Sequence, residues 1–114
     1  MPAVAQDTHD TFAGIARGDA DALETAIGLR EAARERTGLD GRTFSLVKIA
    51  ALIALDAAPA SYAWQIANAL DEEVEPEELL GVLMAVAPQV GGPRVIAAAS
   101  EMMLALGLPL PEGA

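Results

Sequence analysis

The stretch LDGRTFSLVKIAALIAL, residues 39–55, decides the fold that we predict for this chain. Asp40 is a suitable N-cap for a helix, and almost every position from Arg42 to Asp56 is apolar. A helix that is apolar on every side has to be covered on every side. We therefore predict a central helix over residues 42–56, with other helices packed around it.

Two helices are predicted before this segment. Residues 7–17, with a cap at Asp7 or Thr8, form either a short helix or a frayed arm that stops at Gly18. Between residues 20 and 36, acidic side chains come first and arginines come last. This order suits the helix dipole and predicts a second helix there.

Three further helices are predicted after the central one. Pro59 suits the first position of a helix over residues 60–70. Glu75 and Pro76 begin the next helix, whose predicted buried stripe holds Leu79, Leu80, Leu83, Val86 and Ala87. Pro88 ends that helix, and a turn at residues 91–93 leads into a last helix over 94–106.

The sequence indicates an all-α protein. Hydrophobic residues make up 53% of the 114 and aromatic residues only 4%, a composition that favours closely packed helices over strands. We predict one compact bundle of about five to six helices. Residues 1–18 form an arm or short helix, residues 19–107 the helical domain, and residues 108–114 a loose tail.

The apolar content is high for a single small domain. Either one core holds most of these side chains, or other copies of the chain cover some of the apolar helix surface. We therefore expect a homo-oligomer.

The charge balance excludes several partners. Seventeen acidic and 7 basic residues give a formal net charge of −10, which repels phosphate backbones and anionic membranes. We expect no nucleic-acid partner and no membrane partner. The longest apolar run, residues 44–55, is too short to cross a bilayer, and no basic-then-apolar leader opens the chain. We expect a cytoplasmic protein.

The sequence has no cysteine and a single histidine. This composition leaves no thiolate nucleophile and little for zinc or another transition metal to bind. The acidic run Asp71, Glu72, Glu73 and Glu75 lacks the alternating ligands and glycine turn of a calcium loop, so we interpret it as a solvated loop. We expect no metal and no cofactor.

Two cations are candidate ligand-binding residues. Lys48 is the only charge between Arg42 and Asp56, and it either faces a pocket or reaches solvent at the rim of the helix. Arg94 lies in the first turn of the last helix, where free backbone amides favour an anion. It either holds a carboxylate or forms a surface salt bridge, for example with Glu101.

Residues 39–55 are similar to the signature helix of the carboxymuconolactone decarboxylase family, in particular its gamma-carboxymuconolactone decarboxylase branch. The segments at 69–70 (AL), 77–79 (EEL) and 90–93 (VGGP) resemble the family's remaining motifs, in order and at compatible spacing. The resemblance covers residues 20 to about 106. It implies an alkylhydroperoxidase D-like subunit built around an antiparallel helix pair and assembled into ring-like trimers or hexamers.

The resemblance also implies which chemistry is missing. The family includes a cofactor-free decarboxylase of a carboxylated lactone, and peroxidase-like proteins that use a Cys-x-x-Cys pair with a histidine. The cysteine positions fall near Ala58 and Ser61, the histidine at Gln65, and the usual tyrosine before the Gly-x-Pro turn at Gln89. Gln65 can hold a substrate but cannot exchange a proton near neutral pH, and we expect no thiol peroxidase activity.

Two functions remain open. The first is a cofactor-free, decarboxylase-like lyase or isomerase, in which Lys48 and Arg94 bind a small carboxylate-bearing molecule and Gln65 orients it; no catalytic residue is assigned. The second is a non-catalytic oligomeric binding or scaffold protein that kept the fold and lost the chemistry. The absence of both cysteines and of the histidine favours the second.

Overall fold

The computed structural model describes residues 3–19, 21–22 and 30–113, and these residues form helices and connecting turns without a strand. The helices are α1 (Gln6–Arg17), α2 (Arg30–Thr37), α3 (Gly41–Leu55), α4 (Pro59–Asp71), α5 (Pro76–Val90) and α6 (Gly92–Ala105). The all-α prediction is confirmed. Residue 20 and residues 23–29 of the helix predicted over 20–36 lie outside the described residues.

The start of α3 is set by a local hydrogen bond. The Asp40 side chain accepts a hydrogen bond from the backbone N–H of Thr43 at 2.7 Å, as an N-cap does. This hydrogen bond lowers the pKa of the Asp40 carboxyl below its usual range. At the other end, Asp56 adopts a left-handed conformation with φ of 54°. The predicted cap is confirmed, and the helix bounds agree with the prediction to within one residue.

Four helices form the core. The start of α3 lies beside the end of α4 around one small cavity, so these two helices run antiparallel. The helices α5 and α6 pack against this pair. The fully buried apolar side chains come from α3, α4 and α5, and the largest are Tyr62, Ile49, Ile53, Ile66 and Leu79.

The described chain does not cover α3 on every side. Ile49 and Ile53 are buried completely, whereas Val47 is 54% exposed and Leu55 is 74% exposed. The expectation of all-round burial is therefore not met by the described residues of one copy. An apolar stripe of α3 faces outward instead.

Two details of α5 differ from the prediction. The helix α5 continues two residues past Pro88, to Val90, because Pro88 lies on an exposed side where the backbone carbonyl that loses its partner can be solvated. Leu80, expected on the buried stripe of α5, is 55% exposed. Its neighbour Leu79, predicted on the same stripe, is completely buried.

The turn before α5 is held by polar contacts. Glu73 has a φ of 63°, which is unusual for a residue with a side chain. The backbone N–H of Glu75 donates to the Glu78 carboxylate at 3.0 Å, which satisfies one of the free amides at the helix start.

Among the described helices, none is long and apolar enough to cross a membrane.

Candidate functional site

Lys48 lies at a small polar cavity between the first half of α3 and the end of α4. The cavity has a volume of about 60 Å³ and is lined by Arg34, Gly41, Phe44, Ser45, Lys48, Asn68, Asp71 and Glu72. At on the order of 15 Å³ for each water molecule, this space holds a few waters. It is too small for a carboxylated lactone.

Two aromatic rings surround the Lys48 ammonium. Its Nζ lies 4.7 Å from the centroid of the Phe44 ring and 5.7 Å from that of Trp64. Both distances are within the range in which the face of an aromatic ring attracts a cation. Lys48 therefore contributes to the packing of α3 against α4.

The charges around this cavity are balanced. Arg34 Nη1 donates to Glu72 Oε1 at 2.9 Å, in a pair whose side chains are 34% and 38% exposed. Two cations, Arg34 and Lys48, thus face two carboxylates, Asp71 and Glu72. The lining carries no excess positive charge for a carboxylate ligand.

Arg94 lies elsewhere and has a different partner. Its guanidinium donates to the backbone carbonyl of Ala54, in the last turn of α3. A cation at a helix C-terminus satisfies a free carbonyl and interacts favourably with the helix dipole. Arg94 thus joins the start of α6 to the end of α3, and it is absent from the lining of the Lys48 cavity.

Gln65 is buried on α4, on the face that also carries Tyr62, Ile66 and Ala69. It is 9% exposed, and no hydrogen bond joins its amide to another residue in the part of the chain that the structure describes. Gln65 does not line the Lys48 cavity either. Of the three candidate residues, Lys48 alone lines this cavity.

Tyr62 lies one turn before Gln65 and is 2% exposed. Burial raises the pKa of its hydroxyl, and the nearby carboxylates Asp56 and Glu101 raise it further. The phenol therefore keeps its proton at neutral pH and can act only as a neutral hydrogen-bonding group.

Sequence reasoning missed most of the polar lining of the cavity. Ser45 is buried and Asn68 half-buried, and they bring polar groups to the interface of α3 and α4. The spacing of the helix indicates Ser45 as a lining residue, because Ser45 and Lys48 are three residues apart and so share one helix face. Arg34 gave no such signal, since its partner Glu72 is 38 residues away.

Two apolar hollows accompany the polar cavity. One, of about 350 Å³, lies between α5 and α6, and its lining includes Leu79, Leu80, Leu83, Met102, Met103 and Leu106. The other, of about 270 Å³, lies between the start of α4 and the end of α6 and includes Ala60, Ala63, Glu101 and Leu104. Both hollows are larger than the polar cavity, and apolar side chains form most of their lining.

The helical fold agrees with a comparison to known families. The model of the carboxymuconolactone decarboxylase family matches residues 20–102, which is more than half of the chain. The chain belongs to this family. No curated protein matches it, and no solved structure does.

Proposed function

We propose that this chain is a non-catalytic, homo-oligomeric member of its family, a binding or scaffold protein that kept the fold and lost the chemistry. The observation that supports this proposal is the engagement of both candidate cations within the chain. Lys48 is held between two aromatic rings, and Arg94 is bonded to Ala54. The cavity that Lys48 lines is small and carries no excess of positive charge, and Arg94 does not line it.

The exposed apolar side chains support the oligomeric part of the proposal. Leu55, Met84 and Ile96 are 74%, 66% and 71% exposed, on three different helices. Apolar surface of this extent, in a chain with so few aromatic residues, is typical of a face that another subunit covers. By family resemblance, the assembly is a trimer or a hexamer.

Light scattering and a decarboxylation assay test the proposal together. We expect a homo-oligomer at micromolar concentration and no release of carbon dioxide from gamma-carboxymuconolactone above a serum albumin control. A monodisperse monomer would contradict the first part. Release that is well above the control, and that disappears in Gln65→Leu protein, would contradict the second.

Gln65 favours a second candidate function, a cofactor-free lyase or isomerase acting on a small carboxylate-bearing molecule. The Gln65 side chain is 9% exposed and forms no hydrogen bond with a described residue, so its amide is able to bind a polar ligand. Calorimetric titration with gamma-carboxymuconolactone tests this function. Binding by the natural sequence that is lost in Gln65→Leu but kept in Gln89→Leu, at an exposed amide, together with release of carbon dioxide by the natural sequence, would favour it over the first proposal.

A further inference from the structure

Ser45 brings a buried hydroxyl to the Lys48 cavity. The residue is 7% exposed and is one of the residues that line this cavity. No hydrogen bond joins its hydroxyl to another residue in the part of the chain that the structure describes. Because the large majority of buried polar side chains bond either to protein or to ordered water, the Ser45 hydroxyl points to water as its partner.

The usual partner of a serine inside a helix is not used here. A serine or threonine hydroxyl in a helix commonly donates to the backbone carbonyl four residues earlier. Thr11 does so on α1, where its Oγ1 donates to the carbonyl of Asp7 at 2.9 Å. The Ser45 hydroxyl makes no such bond to Gly41, although both residues line the same cavity. The hydroxyl is therefore available to a molecule in the cavity.

The cavity offers such a molecule both hydrogen-bond donors and hydrogen-bond acceptors. Beside Ser45, the lining residues with hydrogen-bonding side chains are Arg34, Lys48, Asn68, Asp71 and Glu72. The two cations donate, the two carboxylates accept, and the amide can do both. A water molecule needs two to four polar partners, and this lining supplies them.

Size and charge favour water over other ligands. The volume of about 60 Å³ corresponds to a few water molecules, at on the order of 15 Å³ for each. Since two cations face two carboxylates, the lining favours neither an anion nor a cation. The ligand that fits this cavity best is therefore uncharged and no larger than a few waters.

The helix α2 reaches the bundle at this cavity. Among the helices of the described chain that pack along one another, α2 is absent. Its Arg34 instead crosses to Glu72, the residue that caps the end of α4, at a distance of 2.9 Å. Arg34 and Glu72 both line the cavity, as does Ser45 on α3. Three helices thus meet around one small polar space.

From these observations we propose that the cavity binds a cluster of ordered water molecules, which bridge the Ser45 hydroxyl to Arg34 and Glu72 and so hold α2 against α3 and α4. Water bridges of this kind are nearly as favourable as direct hydrogen bonds. The water site lies within one chain, so it goes beyond the proposed function and does not depend on the homo-oligomer.

A high-resolution crystal structure of the natural chain tests the occupant directly. We expect an ordered water molecule about 3 Å from Ser45 Oγ, in a cluster that also contacts Arg34 or Glu72. Three results would overturn the proposal: a cavity without ordered water, an ion or another solute in place of water, or a Ser45 hydroxyl bonded to the Gly41 carbonyl.

Hydrogen exchange tests the role of the water cluster in holding α2. Ser45→Ala removes the hydroxyl, and Ser100→Ala on α6 is the matched control, at a half-buried serine that lines none of the described cavities. Both substitutions gain the same helix propensity. We expect the amides of residues 34–37 to exchange about fivefold faster in Ser45→Ala, the equivalent of one hydrogen bond, and to be unchanged in Ser100→Ala.

A third variant separates the hydroxyl from the shape of the side chain. Ser45→Thr keeps the hydroxyl, so its exchange at residues 34–37 should stay close to that of the natural chain. Exchange as fast as in Ser45→Ala would contradict the water bridge. Slower exchange in Ser45→Ala than in the natural chain would show that the hydroxyl lies unsatisfied in a dry space, and would overturn the proposal as well.

Discussion

Arg42 and Glu78, which are 36 residues apart, form an ion pair that joins the first turn of α3 to the first turn of α5. Arg42 also donates to the backbone carbonyl of Glu73 at 2.7 Å, and Glu78 accepts from the backbone N–H of Glu75. One arginine and one glutamate therefore hold the turn between α4 and α5 against α3. Glu78 thus takes part both in the cap of its own helix and in a contact with a distant helix.

Stability should depend on the ionisation of Glu78. The N–H of Glu75, and then Arg42, lower the pKa of this carboxyl below its usual range. Because the folded pKa is lowered, the stabilisation is complete above the unfolded pKa of about 4.3 and is lost as the pH falls through the folded value. We expect Glu78→Gln protein to lose less stability on acidification than the natural chain.

Urea unfolding across the acid range measures this difference. Glu77→Gln is the matched control, because it removes a carboxylate from the same first turn without touching the Arg42 pair. Its pH profile should follow that of the natural chain. Parallel profiles for the natural chain and Glu78→Gln would contradict the assigned role.

Glu73→Gly should stabilise the chain. A left-handed conformation costs a residue with a side chain on the order of 1 kcal/mol, and glycine avoids most of this cost. The contact with Arg42 is kept, since it uses the backbone carbonyl. Thermal unfolding measures the stability of both variants. The control, Glu77→Gly inside α5, should lower stability by about 1 kcal/mol. Equal effects of the two substitutions would refute this explanation.

Arg94→Ala should lower the free energy of unfolding by about 1 kcal/mol, because it leaves the end of α3 without its cation. Arg17→Ala is the control: its side chain is 63% exposed, and its partner Asp19 is two residues away. Such surface pairs contribute little. Chemical denaturation of the two variants measures whether Arg94 contributes more to the free energy of unfolding than Arg17 does. Equal losses in the two variants would contradict the assigned role of Arg94.

Lys48 is the only lysine of the chain and Trp64 its only tryptophan, so their contact can be followed by fluorescence. Lys48→Met keeps most of the aliphatic stem and removes the cation. We expect a shifted Trp64 emission and a loss of about 1 kcal/mol in stability. Arg36→Met, at an exposed arginine, should change neither.

The metal-free protein should not reduce alkyl hydroperoxides, because the chain holds no thiol that could be oxidised. Peroxide consumption measured beside an equal concentration of serum albumin provides the comparison. A rate well above that of albumin would show that another residue carries redox chemistry.

Helix starts were the most predictable part of the fold. Asp40, Pro59 and Pro76 act through the backbone of their own first turn, so a single sequence carries the whole signal. Helix faces were less predictable, because periodicity gives the direction of a stripe only to within about one residue. For that reason both Leu79 and Leu80 were assigned to the buried stripe, although Leu79 is buried and Leu80 is exposed.

The partners of the charged residues could not be predicted. Arg94 was expected near an anion or Glu101, yet it bonds to Ala54, 40 residues earlier in the chain. Which backbone carbonyl an arginine reaches depends on how two helices are placed after folding. The same reason explains why Arg34 was not connected with the Lys48 cavity.

Gly41, the first residue of α3, limits how this protein can change. A Cβ at this position would collide with the Glu72 carboxylate and lie 2.7 Å from Arg34 Nη2, so the ion pair occupies the space that a side chain would need. Alanine is the better helix former by about 1 kcal/mol, and a search for stabilising substitutions by helix propensity would select it here. Alanine at position 41 would therefore require the ends of the Glu72 and Arg34 side chains to move aside, so its gain in helix propensity would be offset by a weaker Arg34–Glu72 contact.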